Sequence, residues 1–285
     1  MIRPVVIFAM FCGFSIVQVE IAGASPAGCT RTDLQTVVDK YIDAVKQGKS
    51  SILPLASKIK YIENSKESEP SQGILQTALD IDFHRSILDV ETCETFTELI
   101  RTNNIHPYVL GTRLKVRDGK VMEIETLVTD KGDWLFNADN YLMYSKKEKW
   151  DIIPSAQRSD RQTLIGAAAA YFDVFSDRTA KVPWGTPCAR LEGGIYTTKD
   201  FDDPNATCNI GIPEDGDVKL MNRHYVADPD MGAVVGIVRF GNENVPDSHL
   251  FRLENGKIRY IHTLTVCLIE NCGFPPLDPS KLPPQ

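Results

Sequence analysis

The chain has 285 residues, of which 42% are hydrophobic, 24% charged and 8% aromatic, with 31 basic and 38 acidic side chains and a formal net charge of −7. This composition excludes a disordered chain, a collagen-like chain and a multi-span membrane protein. An acidic chain without a basic run is also a poor match for charge-driven binding to nucleic acid or anionic membrane. The length suits one large domain or two of about 130 residues each.

The first element is a targeting segment. Arg3 precedes an almost unbroken apolar stretch over residues 5–17, and Ala22-Gly23-Ala24 has the small-x-small form of a signal-peptidase site. The apolar run is short for a bilayer span, so residues 1–24 read as a cleaved secretory signal, with no membrane association afterwards; a short N-terminal anchor is the alternative. Cys12 leaves with that segment. Cys29, Cys93, Cys188, Cys208, Cys267 and Cys272 remain. An even number in a secreted chain reads as three disulfides. Six cysteines allow fifteen pairings, and locality favours Cys29–Cys93, Cys188–Cys208 and Cys267–Cys272. A metal site competes, but paired CxxC units and a spaced histidine pair are lacking.

Thr32-Asp33-Leu34-Gln35 has a capping-box pattern, and Ser159-Asp160-Arg161-Gln162 repeats it 127 positions later. Each opens an amphipathic helix, one carrying Val37, Val38, Tyr41, Ile42 and Val45, the other Leu164, Ile165, Ala168, Tyr171, Phe172 and Phe175. Further matches keep the same order. Tyr41 aligns with Tyr171, and Asp118-Gly119-Lys120-Val121 aligns with Asn255-Gly256-Lys257-Ile258. The chain is therefore read as a duplication: residues 25–150 and 151–272, joined through a charged stretch over residues 146–159, followed by a Pro-rich tail over residues 273–285. In the second half, Asn205-Ala206-Thr207 is an N-glycosylation sequon on the Cys188–Cys208 loop.

Each half reads as a helix, then strands, then two long strands around a tight Asp-Gly or Asn-Gly turn. Counting from Asn255-Gly256 pairs His249 with His262 and Phe251 with Tyr260. It places His249, Phe251, Leu253, Ile258, Tyr260, His262 and Leu264 on one face. Leu250, Arg252, Arg259 and Ile261 then form the other face, a candidate contact for a pseudo-dimer within the chain. The same count groups Thr112, Leu114, Val116, Val121, Glu123, Glu125 and Leu127 in the first half.

A helix-led α+β unit of this length, ending in long antiparallel strands, resembles the nuclear-transport-factor-2-like (SnoaL-like) fold. The expected fold class is α+β, with tandem duplicated cone-shaped domains, each a curved antiparallel sheet wrapped on helices. The second half resembles a family of secreted fungal proteins through Trp184-Gly-Thr-Pro-Cys-Ala-Arg-Leu-Glu-Gly-Gly, Cys208-Asn-Ile-Gly-Ile-Pro, Asn222-Arg-His-Tyr-Val, Pro246-Asp-Ser-His-Leu-Phe-Arg and Lys257-Ile-Arg-Tyr-Ile-His-Thr-Leu-Thr-Val. In compartment and sequon it is similar to the hetero-Diels–Alderases of tropolone–sesquiterpenoid biosynthesis.

Phosphate loops, nucleophile elbows, zincin motifs and dinucleotide fingerprints are lacking, so no cofactor or metal is expected. Chemistry would have to come from side chains lining a pocket for a small apolar or aromatic metabolite. His262 and His249 are candidate acids, bases or donors; a buried pair holding two strands together is the competing reading. Arg190 and Glu192 alternate on one strand, and either bind an anionic or enolic oxygen or pair with each other. Tyr171, Trp184, His224, Phe251 and Tyr260 are candidate substrate contacts, with a core role as the plainer alternative for the aromatics. Glu123 and Glu125 are candidate acids with raised pKa, or an exposed rim. The resemblance implies a secretory-pathway cyclase of the pericyclase type. A non-catalytic binding protein and a secreted interaction factor are the other two readings.

Overall fold

The computed structural model describes residues 29–198, 203–213 and 216–273. The signal segment and nearly all of the Pro-rich tail lie outside the described residues. Helix α1 (Arg31–Gln47) is capped by Thr30, whose hydroxyl accepts from Asp33 N while the Asp33 carboxylate accepts from Thr30 N. The capping box thus begins at Thr30 instead of Thr32, because a carboxylate at Asp33 receives both the backbone N–H and the hydroxyl of Thr30. Helix α3 (Arg161–Asp173) is capped by Asp160, which accepts from Thr163 N.

The first half contains β1 (Leu55–Glu63), β2 (Lys66–Ser68), β3 (Phe83–Asp89), β4 (Glu94–Arg101), β5 (Tyr108–Arg117) and β6 (Lys120–Thr129), followed by α2 (Ala138–Lys147). The second contains β7 (Trp184–Glu192), β8 (Ile195–Tyr196), β9 (Leu220–Asp228), β10 (Ala233–Phe240), β11 (Val245–Glu254) and β12 (Lys257–Thr265). The sheet orders are β2-β1-β6-β5-β4-β3 and β8-β7-β12-β11-β10-β9, the same order twice. The duplicated α+β arrangement is therefore present as tandem cone-like units. Neither sheet is antiparallel throughout: β1 runs parallel to β6 and β7 parallel to β12. Each of these strands follows its helix and meets the central hairpin from the outside, so its direction is set by the helix connection and not by a tight turn.

Within each cone the leading helix lies on one face of the sheet. Leu34, Val38 and Tyr41 pack on Leu99, Leu110, Leu114 and Ile124. Leu164, Ala168, Tyr171 and Phe172 pack on Val234, Phe251, Leu253 and Ile261. The opposite faces of the two sheets pack against each other. Ile100 and Val109 meet Tyr260 and Leu264 with Tyr141 of α2, and Ile87 and Phe96 meet Val226, Val235 and Leu250. Gly111 permits the approach: a Cβ there would lie 2.9 Å from Phe96 and 3.0 Å from Leu264.

Contacts across the halves are reciprocal. Arg31 at the start of α1 binds Asp228 at the end of β9, with distances of 2.8 and 2.9 Å. Arg161 at the start of α3 binds Asp89 at the end of β3, at 2.9 Å. Each buried carboxylate also accepts a backbone N–H from the other half: Leu88 N donates to Asp228, and Ala227 N donates to Asp89. Such exchange of equivalent contacts is the signature of a twofold interface, realised here inside one chain.

The disulfides join Cys29–Cys93, Cys188–Cys208 and Cys267–Cys272, the pairing that locality favours and in keeping with an oxidising compartment. Asn205 is exposed on the Cys188–Cys208 loop. Among the described residues no helix is long and apolar enough to cross a membrane.

One local irregularity changes the faces of both hairpins. From the turn, Glu254 pairs with Lys257 and Leu253 with Ile258, as counted, but Arg252 then pairs with Tyr260, leaving Arg259 unpaired in a bulge. Phe251 therefore pairs with Ile261, Leu250 with His262 and His249 with Thr263. One extra residue inverts every side chain beyond it. His249, Phe251, Leu253, Ile258, Ile261 and Thr263 share the cone interior, while Leu250, Arg252, Tyr260, His262 and Leu264 face the other half. The first hairpin has the same shift beside Met122: Arg113 pairs with Glu125, and Thr112 with Thr126. Glu123 and Glu125 leave the expected face and are both bound by Arg113, which also binds Glu94 at 2.9 Å.

Candidate functional site

The interior of the second cone is built by α3 and by β7, β11 and β12. Tyr171 sits at its centre, with ring centroids 5.1 Å from Phe251 and 5.2 Å from His249; Phe172 lies 5.3 Å from His249. Trp184 borders the group, edge-on to Tyr171 at 5.8 Å. Into this aromatic lining project polar side chains from adjacent strands. His249 pairs across the strands with Thr263, and Thr263 with Glu192. Arg190 Nη2 binds Glu192 at 2.9 Å, and its Nη1 donates to the Tyr171 hydroxyl at 3.3 Å. Asp247, two residues before His249 on β11, lies 3.0 Å from His249 Nε2 and accepts from the Thr265 hydroxyl at 3.1 Å.

Burial sets the protonation of these groups. Loss of water, with the Arg190 charge nearby, lowers the His249 pKa to about 3. Loss of water also holds Asp247 well above the usual carboxylate range. Burial thus disfavours the charged form of both members of the pair. Burial disfavours the Arg190 charge, but Glu192 and Tyr171 outweigh it and its pKa rises. Burial raises the Tyr171 hydroxyl to about 12. His249 Nδ1, Arg190 Nε and Thr263 Oγ1 are buried and find no hydrogen-bond partner among the described residues. Such groups carry a desolvation cost of about 1–3 kcal/mol each. In so apolar a surround, a carbonyl or enolic oxygen brought to Arg190 would be polarised more strongly than in water.

The other expected residues lie elsewhere. His262 is fully buried between the halves, with Nδ1 2.9 Å from Glu98 and Nε2 2.6 Å from Glu148. Burial alone would lower its pKa, but the two carboxylates outweigh it and raise it to about 9. It is an imidazolium bracketed by acids, and the bulge at Arg259 is what turns it away from His249. Tyr260 shares that face and stacks on Trp150. His224 points across to the first half, 2.8 Å from Glu94. Tyr171, Trp184 and Phe251 do line the cone with His249, Arg190 and Glu192. Asp247 is not among the residues the sequence singles out, although its i, i+2 spacing from His249 on a strand is a usable signal. Trp134, which donates to Glu192 Oε1 at 2.8 Å from the first half, left no such signal.

An open cleft of about 440 Å³ lies at the rim of the first cone, lined by Glu63, Gly73, Tyr108, Asp130, Asp133 and Cys267 among others. Its carboxylates are engaged internally: Glu63 accepts from Tyr61 and Ile74 N, and Asp133 from Asp130 N and Cys267 N.

Residues 157–265 match a family model described as a domain of unknown function, DUF8021. No curated protein matches the chain. Among solved structures, a de novo designed protein with a curved β-sheet is 16% identical, covering 35% of this chain and 88% of its own, with a TM-score of 0.27. AclR from Streptomyces galilaeus is 14% identical, covering 45% of this chain and 92% of its own, with a TM-score of 0.27. Neither likeness bears on activity.

Proposed function

We propose that the second cone is a chamber for a small, largely apolar molecule, held through an oxygen and steered into a cyclisation or isomerisation. The observation that carries this reading is the set of buried polar atoms without a hydrogen-bond partner among the described residues, His249 Nδ1, Arg190 Nε and Thr263 Oγ1, amid aromatic side chains. A chamber that only stabilised the fold would gain from apolar residues at these positions. The finer reading, a hetero-Diels–Alderase acting on a tropolone o-quinone methide and a humulene-type alkene, rests on likeness of compartment, sequon and expected cofactor independence to the hetero-Diels–Alderases of tropolone–sesquiterpenoid biosynthesis. In that reaction a hydroxymethyl tropolone first loses water. The methide then forms one C–C and one C–O bond to the alkene, with no change in overall oxidation state. Arg190 Nε–H would hydrogen-bond the methide oxygen beside the His249 imidazole, and Tyr171, Phe172 and Phe251 would exclude water and align the partners.

The test is calorimetric titration with tropolone, followed by turnover assays with a hydroxymethyl tropolone and humulene. Arg190→Ala and His249→Ala should each weaken tropolone binding or turnover by more than about tenfold, the low end for removal of such a donor. Absence of tropolone binding to the folded wild-type protein would overturn the reading. Binding without turnover would leave a carrier in place of an enzyme.

A further inference from the structure

Resting on the reading of the second cone as a ligand chamber, we propose that Trp134, supplied by the first half of the chain, is a positioning residue that orients Glu192 and through it Arg190. The Glu192 carboxylate bridges two donors: Oε1 takes the indole N–H at 2.8 Å and Oε2 takes Arg190 at 2.9 Å. Glu192 is the more exposed of the pair, with 23% of its side chain accessible against 6% for Arg190. A carboxylate held on one side only would keep rotamer freedom and let the guanidinium swing with it. The indole removes that freedom.

The segment that carries Trp134 is itself gripped from two sides. On one side, the turn after β7 is shaped around it. Gly193 has φ +62°, and a Cβ there would lie 2.2 Å from the Trp134 carbonyl oxygen. At Gly194 a Cβ would lie 2.6 Å from Asn137 Cβ, while Asn137 N donates to the Gly193 carbonyl at 2.9 Å. Only glycine leaves room for this approach. On the other side, the loop closed by Cys267–Cys272 holds residues 132 and 133. Cys267 N donates to Asp133 Oδ1 at 2.6 Å, and Asn271 N donates to the Gly132 carbonyl at 2.7 Å.

The two cones differ at this point, which gives the contact its meaning. The residue in the place of Glu192 in the first cone is Glu63, and that of Arg190 is Tyr61; both pairs flank equivalent positions of β6 and β12. Glu63 is held by Tyr61 of its own strand and by Ile74 N. The first cone therefore has no guanidinium at that place and no indole from the other half. The cross-half indole accompanies the cone that presents a cation to its interior.

The test is a double-mutant cycle read by tropolone titration. Trp134→Phe keeps the ring and removes the donor; it should raise the tropolone dissociation constant about tenfold, the scale of a lost hydrogen bond to a charged group. Glu192→Gln should do the same, and the double variant should be no worse than Glu192→Gln alone. Additive losses would show that Trp134 acts independently of Glu192 and would overturn the proposal. A second measurement needs no tropolone. The Trp134 indole cross-peak in a 1H–15N spectrum, identified by its loss in Trp134→Phe, should shift in Glu192→Gln and in Arg190→Ala. An unmoved cross-peak in both would also overturn the proposal. If the wild-type protein fails to bind tropolone, the chamber reading falls while the cross-peak still decides whether Trp134 orients Glu192 and Arg190.

Discussion

Replacing His262 with glutamine separates the electrostatic joint between the halves from the chemistry of the second cone. His262 lies against Glu98 and Glu148, and all three side chains are essentially inaccessible to solvent. Its pKa is raised from 6.5 to about 9. A group whose pKa is higher in the folded state contributes stability that is complete below the unfolded value and is lost as pH rises through the folded value. The window is therefore pH 6.5 to about 9, and at about 1.4 kcal/mol per tenfold change the contribution is about 3 kcal/mol. At pH 6.5, His262→Gln removes the cation between two buried carboxylates, leaving Glu98 only the Arg85 cation at 3.6 Å, and should cost about 3–5 kcal/mol. Urea unfolding of wild type and variant, followed by far-ultraviolet circular dichroism from pH 6 to 9.5, gives a difference curve in which other titrations largely cancel. The gap between the two proteins should narrow by about 3 kcal/mol across the window. A flat difference curve, or one with its midpoint near 6.5, would refute the assignment of a charged His262 between two acids. Tropolone binding corrected for folded fraction should be unchanged, because His262 faces away from His249.

Asp89→Ala and Asp228→Ala should each cost at least about 1–3 kcal/mol, since each leaves a buried backbone N–H of the other half unpaired. Because the two carboxylates bind adjacent backbone groups across one interface, the double variant should depart from additivity in chemical denaturation. Gly193→Ala should destabilise by at least about 1 kcal/mol from its left-handed backbone alone and should displace the Trp134 indole resonance; an unperturbed resonance would show that the turn does not set the segment. Intact mass with thiol labelling under denaturation should find no free thiol, a mature chain starting near Ser25 and a glycan on Asn205. Selective loss of Cys188–Cys208, which closes a separation of 20 residues, should cost about 2–4 kcal/mol.

The sequence by itself determined the duplication, the leading helices, the turns at Asp118-Gly119 and Asn255-Gly256, and the disulfide partners. The helices and turns are local, because caps, 3.6-residue periodicity and turn dihedrals act within a few residues of chain. The duplication shows as repetition of those local patterns, and Cys29–Cys93 closes the longest disulfide loop, with a separation of 64 residues. It also singled out Tyr171, Arg190, Glu192, His249 and Phe251, and the strand residues among them keep their expected faces because parity holds from Asn255 back along β11 and within β7. It did not carry the parity of β12, since a strand has a period of two and the bulge at Arg259 inverts everything after it. That single residue sent His262 and Tyr260 to the interface between the halves. Only the tertiary structure decided which carboxylates meet which cations. Arg31 and Asp228 are 197 residues apart, Glu98 and His262 are 164 apart, and Trp134 and Glu192 are 58 apart. Such pairs are chosen by how two sheets dock, and docking is decided by the summed shape of both faces, which no local pattern encodes.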